Sequence, residues 1–145
     1  MVGAEFLDIA HRLLKIPTEA AYRSVINRAY YAVFLTGNEF LAELGFKASD
    51  GPQTHGQFLR RINNCGVPEL QEIYEGLQNL YRRRRQADYN LSSPIFKAQP
   101  AVALDVASAA QMIATIQSCQ KSQNLRIQIR DGIREYERKI NASSR

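Results

Sequence analysis

The chain is predicted to be all-α, and three observations carry that prediction. Apolar residues recur with the 3.6-residue helical period in almost every segment. Proline, glycine and hydroxyl residues stand where helices start and stop. The one stretch that alternates as a strand does, Leu125 to Arg130 (LRIQIR), lies inside a longer stripe of helical spacing. At 145 residues the chain fits one domain, long enough to close a core without staples.

Helix one covers roughly residues 3 to 15. Pro17, Thr18 and Glu19 restart the chain with a proline near the helix start, a capping hydroxyl and an acid in the first turn. A long helix follows to Leu44 and stops at Gly45. Its apolar face is Tyr22, Ile26, Ala29, Val33, Phe40 and Leu44, with Gly37 allowing a neighbour close. Residues 46 to 53 read as a loop. Thr54 and Gln57 match a capping box, which predicts a helix from about His55 to Asn64.

Gly66 and Pro68 punctuate the next break. The following helix runs from Pro68 to about Tyr89 and buries Leu70, Ile73, Leu77 and Leu80. NLSSPIFKAQP is a second loop. Helix five starts near Pro100 or Ala101, with Leu104, Val106, Ala110 and Ile113 as its buried stripe. In the tail, Leu125, Ile129, Ile133, Tyr136 and Ile140 keep a helical stripe, and Arg126, Arg130, Arg134 and Arg138 form a basic ridge beside it. Such a ridge suits a phosphate backbone or an acidic partner helix.

The net charge of +5 points to an acidic partner, nucleic acid being the commonest. Cys65 and Cys119 form no CxxC or metal spacing and read as reduced thiols, a single bridge remaining the alternative. The first fifteen residues carry acids and lack a cleavage site, so they read as an amphipathic helix and not a signal peptide. With no apolar run of membrane-spanning length expected, the reading is a cytoplasmic protein with no membrane, metal or cofactor requirement. Walker, dinucleotide and nucleophile-elbow motifs are absent from the sequence.

Two arginines stand in apolar stripes. Ala21, Val25, Ala32 and Leu35 surround Arg28 at helical spacing. Arg84 continues the stripe Leu70, Ile73, Leu77, Leu80, with Asp88 one turn beyond at ion-pair spacing. A guanidinium on such a face is costly unless it is paired or lines a wet cleft. Arg84 with Asp88 therefore reads either as a structural pair or as part of a polar cleft with Arg28, Tyr89 and His55. Arg82, Arg83 and Arg85 point outward or sideways. His55, at a predicted helix start, is favoured as the neutral imidazole, suited to a general base or a phosphate donor.

NRAYYAVF (27 to 34), THG (54 to 56) and RRQADY (84 to 89) together resemble the HEPN family of small prokaryotic helical domains, in its branch of short stand-alone proteins. The resemblance covers roughly residues 5 to 117. It implies an up-and-down four- or five-helix bundle, which takes residues 1–120; the tail, 121–145, lies outside the resemblance and reads from its own stripe as a C-terminal helical extension. It also implies a homodimer whose polar helix ends share a cleft.

Many HEPN proteins are metal-independent endoribonucleases, several acting as toxins beside a nucleotidyltransferase-like partner. The resemblance thus gives Arg84, Asp88, Arg28 and His55 as candidate catalytic residues. Arg83, Arg85 and Tyr89, with Arg126 and Arg130 of the ridge, are candidate RNA or nucleotide contacts. The family's histidine four to six positions after an arginine is absent here, and Asp88-Tyr89 stands in its place. The alternative function is a non-catalytic interaction module that docks a protein through the cleft or the basic tail.

Overall fold

The computed structural model describes residues 2–144. Six α-helices follow one another: α1 (Glu5–Leu14), α2 (Glu19–Glu43), α3 (Thr54–Asn64), α4 (Pro68–Tyr89), α5 (Gln99–Lys121) and α6 (Gln123–Ser143). A 3-10 turn, Pro94–Lys97, interrupts the connection between α4 and α5. Among the described residues there is no strand, so the fold is all-α.

Helix α2 forms the axis, packing against α1, α3, α4 and α5. Its predicted face is buried as a set, and Ile26, Ala29 and Val33 have no exposed surface. Thr18 caps its start, the hydroxyl accepting from Ala21 N at 3.2 Å. Its end is a glycine-terminated turn: Gly45 N donates to Ala42 O at 3.0 Å and Phe46 N to Leu41 O at 2.9 Å, with Gly45 at φ 100°. At Gly37 the ring of Phe58 from α3 lies where a Cβ would stand, 2.3 Å from it.

Helix α4 has acids toward its start (Glu69, Glu72, Glu75) and four arginines toward its end. Only Glu69 stands in the first turn, where it complements the helix dipole; the arginines stop short of the last turn, which carries no basic residue. No glycine ends α4. Arg23 of α2 ends it instead, donating from Nη1 to Ala87 O at 2.8 Å, Asn90 O at 3.1 Å and Gln86 O at 3.3 Å. Its Nη2 reaches Leu91 O at 3.2 Å and Ser93 O at 3.4 Å, and Glu19 pairs with it at 2.9 Å. One buried guanidinium thus gathers carbonyls of the helix terminus and its exit loop, of which Gln86 O also accepts from Asn90 N at 2.9 Å and Asn90 O from Ser93 N at 3.2 Å.

Three sequence expectations need correction. The buried face of α5 is Val102, Val106, Ala109, Ile113 and Ile116; Leu104 is 72% exposed and Ala110 only half-buried. In an alanine-rich helix the large residues alone misplace the face. The capping box is not made, because α3 begins at Thr54 itself. Thr54 Oγ1 donates back to Ser49 O and Gly51 O, and Gln57 Oε1 accepts from Ser49 N at 3.0 Å. These bonds close the 46–53 loop and do not cap the helix. Finally, α5 is by length and composition apolar enough to cross a membrane, contrary to expectation; here it packs on α1, α2, α4 and α6.

Helix α6 forms over the whole tail, so the longer stripe prevails over the alternation in LRIQIR. It lies on α5 and α3, with Ile129 and Ile133 fully buried. The approach is close at Gly132, where a Cβ would collide with Cys65 O. Arg61 of α3, buried as Arg23 is, fastens the pair by donating to Glu137 at 2.8 Å and to Lys47 O at 3.1 Å. Helix α3 therefore sits between α4 and α6.

Candidate functional site

The stripe of α4 delivers Arg84 against α2. Its guanidinium lies over the Tyr30 ring at 5.0 Å and the Tyr31 ring at 4.8 Å, within cation–π range of both. The two rings meet edge to face, centroids 5.3 Å apart. Asp88 stands 3.6 Å from Arg84 Nε, beyond good hydrogen-bonding distance, and that buried Nε has no acceptor. The charge is held by aromatic faces and a loose ion pair, which leaves hydrogen-bonding capacity unspent.

His55 enters from the first turn of α3. The Tyr30 hydroxyl bonds to its Nδ1, and the imidazole stacks on Tyr81 of α4 with centroids 4.2 Å apart. Burial raises the Tyr30 hydroxyl well above the usual tyrosine value, against the lowering effect of the Arg84 charge. Tyr30 therefore keeps its proton, and the direction of its bond to Nδ1 follows the tautomer of the neutral His55. Partial burial, and after it the Arg84 charge, hold the imidazole below the usual histidine value. Tyr30, Tyr31, His55, Tyr81 and Arg84 make one cluster.

Beside it lies a cleft of about 360 Å³ between α3 and α4, lined by His55, Leu59, Gln78, Tyr81, Arg82 and Arg85. No carboxylate lines it. A neutral imidazole next to guanidiniums can accept a proton from, or donate one to, a ligand oxygen, while the arginines hold negative charge.

The other candidate residues separate. Arg28 does not join Arg84: it is exposed and lies over Phe6 at 5.7 Å, in a different cleft with Glu5, Asp8 and Arg12. A long helix that buries most of its circumference still keeps one narrow exposed strip, and Arg28 is on it. Arg83 turns sideways to Asp105 of α5, Nε to Oδ2 at 2.9 Å, with the Phe96 ring beneath it. Asp88 is exposed on one side and Tyr89 is 79% exposed at the helix end. On α6, Arg126 is engaged by Glu43 at 3.7 Å and Gln120 O at 3.3 Å, and Arg130 by its neighbour Asp131 at 3.2 Å.

Sequence reasoning missed Tyr30 and Tyr81 as members of the cluster, and Arg23 and Arg61 as buried cations. The last two had a signal. Arg23 shares a face with Ile26 and Tyr30, and Arg61 with Phe58 and Cys65, the same spacing that singled out Arg84. The free thiols are no candidates for nucleophiles: burial raises Cys65 and pushes Cys119 up to about 11. Among the described residues no group of three or more His, Cys, Asp or Glu could hold a metal ion. No family model, curated protein or solved structure matches the chain.

Proposed function

We propose that the protein is a HEPN-type RNA- or nucleotide-binding protein whose ligand phosphate is received in the cleft between α3 and α4. The observation that carries this reading is the composition of that cleft: Arg82, Arg85, Gln78 and a neutral His55 line it without a carboxylate. Hydrogen-bond donors and positive charge converge there with nothing to neutralise them, which is the chemistry of a phosphate receptor. Tyr30 and Tyr81 hold the imidazole's orientation, by a hydrogen bond and by stacking. The homodimer and the nucleotidyltransferase-like partner belong to the same proposal and rest on the sequence resemblance.

A catalytic version has one observation in its favour. His55 supplies, from α3, the imidazole missing after the arginine run, and it is neutral beside Arg84. In that version His55 takes the proton of a ribose 2′-hydroxyl, whose oxygen bonds to the adjacent phosphorus as the P–O5′ bond breaks; an arginine stabilises the charge on the phosphate, and the leaving 5′-oxygen takes a proton from water, without a metal. The interaction-module reading is favoured instead by Tyr89, Leu91 and Leu104, all more than 70% exposed near the α4–α5 connection.

The test uses purified protein, bulk tRNA and a fluorescein-labelled 12-nucleotide RNA, in EDTA. Wild type is expected to bind with an affinity that falls with salt, and Arg85→Ala to bind several-fold more weakly. Cleavage by wild type that His55→Gln abolishes would establish the nuclease. Wild-type protein showing neither salt-sensitive binding nor cleavage eliminates the proposal.

A further inference from the structure

Helices α3, α4 and α6 carry ten arginines, and their pairing divides them cleanly. Arg61, Arg83, Arg84, Arg126, Arg130 and Arg138 each have a carboxylate partner, respectively Glu137, Asp105, Asp88, Glu43, Asp131 and Glu135. Arg60, Arg82, Arg85 and Arg134 have none among the described residues, and all four are exposed.

The four unpaired cations are not scattered. Arg82 and Arg85 line the cleft on the α4 side of α3. Arg60 lines a second cleft, of about 260 Å³, on the α6 side of the same helix. Its one carboxylate, Glu137, is already held by Arg61 at 2.8 Å. That cleft shares Glu137 and Asn141 with a hollow of about 460 Å³ where Arg134 stands. Arg60 also bends back along α3: its Nη1 lies 3.1 Å from where a Cβ on Gly56 would be, one residue from His55.

We propose that this line of cations is a track for a single-stranded polynucleotide that crosses α3, touching Arg82 and Arg85 on one side and Arg60 and Arg134 on the other. The inference rests on the phosphate-receptor reading of the His55 cleft and extends it to the class of ligand. A helix with its side chains is about 10 Å across, so a ligand engaging both flanks is a chain of several phosphates and not one nucleotide. Aromatic surface accompanies the cations on both sides, His55 stacked on Tyr81 in the first cleft and Tyr136 in the second. Alternating aromatic and basic contacts are what unpaired bases and their backbone use. All four cations are arginines, the side chain whose planar fork matches phosphate oxygens.

The measurement is the salt dependence of binding, between 50 and 300 mM NaCl in about equal logarithmic steps, for the labelled 12-nucleotide RNA and for a dinucleotide. Each phosphate neutralised on a single strand contributes a slope of about −0.7, so four contacts give about −3. The double variant Arg60→Ala/Arg134→Ala keeps the His55 cleft and touches no ion pair, and its thermal melt checks that it is folded. Its expected slope on the 12-mer is shallower by about 1.4 than that of wild type, with dinucleotide binding unchanged.

An unchanged slope in the double variant, with RNA still bound, overturns the track and leaves the cleft proposal standing. Absence of salt-sensitive RNA binding by wild type overturns both. Polyglutamate bound as tightly as the 12-mer, and lost in the double variant, assigns the surface to an acidic peptide and overturns the polynucleotide.

Discussion

The Tyr30 hydroxyl shares a hydrogen bond with Nδ1 of His55, joining a buried residue of the central helix to the first turn of α3. That bond couples the imidazole tautomer to the direction of the hydroxyl, while burial and the Arg84 charge keep His55 neutral. Protonation sets a second positive charge near Arg84.

Acid sensitivity follows with a definite sign. The folded-state value of His55 lies below its unfolded value near 6.5, so the unfolded chain binds the proton more readily. The stabilisation is complete above about 6.5 and is lost as pH falls through the lower folded value. Thermal melts from pH 8 to pH 4.5 are expected to show a decline below pH 6.5 in wild type that is reduced in His55→Phe. Parallel profiles for the two proteins would refute the assignment.

Tyr30→Phe keeps the ring beneath Arg84 and deletes only the hydroxyl. It should cost about 1 kcal/mol, the net value of one hydrogen bond. NMR of the imidazole should show His55 no longer held in a single tautomer, and its titration midpoint should move.

Arg23 closes the end of α4, and its removal strands buried carbonyls of α4 and the exit loop along with Glu19. Arg23→Ala is expected to destabilise by about 3 kcal/mol in urea unfolding. Arg23→Met, which restores volume without donors, should recover only the packing share. Glu19→Gln should cost about 0.5 kcal/mol, because its carboxylate is partly exposed.

Gly132 and Gly76 make a matched pair of tests. A methyl group on Gly132 runs into the Cys65 carbonyl, which is backbone and cannot yield; on Gly76 it meets Met112 Sδ at 2.9 Å, the far part of a flexible side chain. Gly132→Ala should lose about 2 kcal/mol or more and expose α6 to proteolysis. Gly76→Ala should stay within about 1 kcal/mol of wild type, helped by better helix propensity. Equal effects would contradict the α3–α6 contact.

Leu104 and Ile116 test which face of α5 is inward. Ile116→Ala is expected to cost about 3 kcal/mol, whereas Leu104→Ser should lie within about 0.5 kcal/mol. The reverse order would restore the stripe that the sequence alone favoured.

The sequence by itself determined the helices. Periodicity, the proline and glycine breaks and the Thr18 cap are local, and the helix ends at Gly45 and Pro68 were legible, whereas the capping box read at Thr54 was not made. It also determined that Arg84 turns inward, because a stripe of Leu and Ile dictates where the next residue on that face must go. Only the tertiary structure decided what meets it there. The pairing of Tyr30 with His55, the capping of α4 by Arg23 some sixty residues earlier in the chain, and the separation of Arg28 from Arg84 all depend on which helices become neighbours. The reason is physical: periodicity specifies direction around a helix axis, while long-range hydrogen bonds and ion pairs depend on distances between axes, which packing sets.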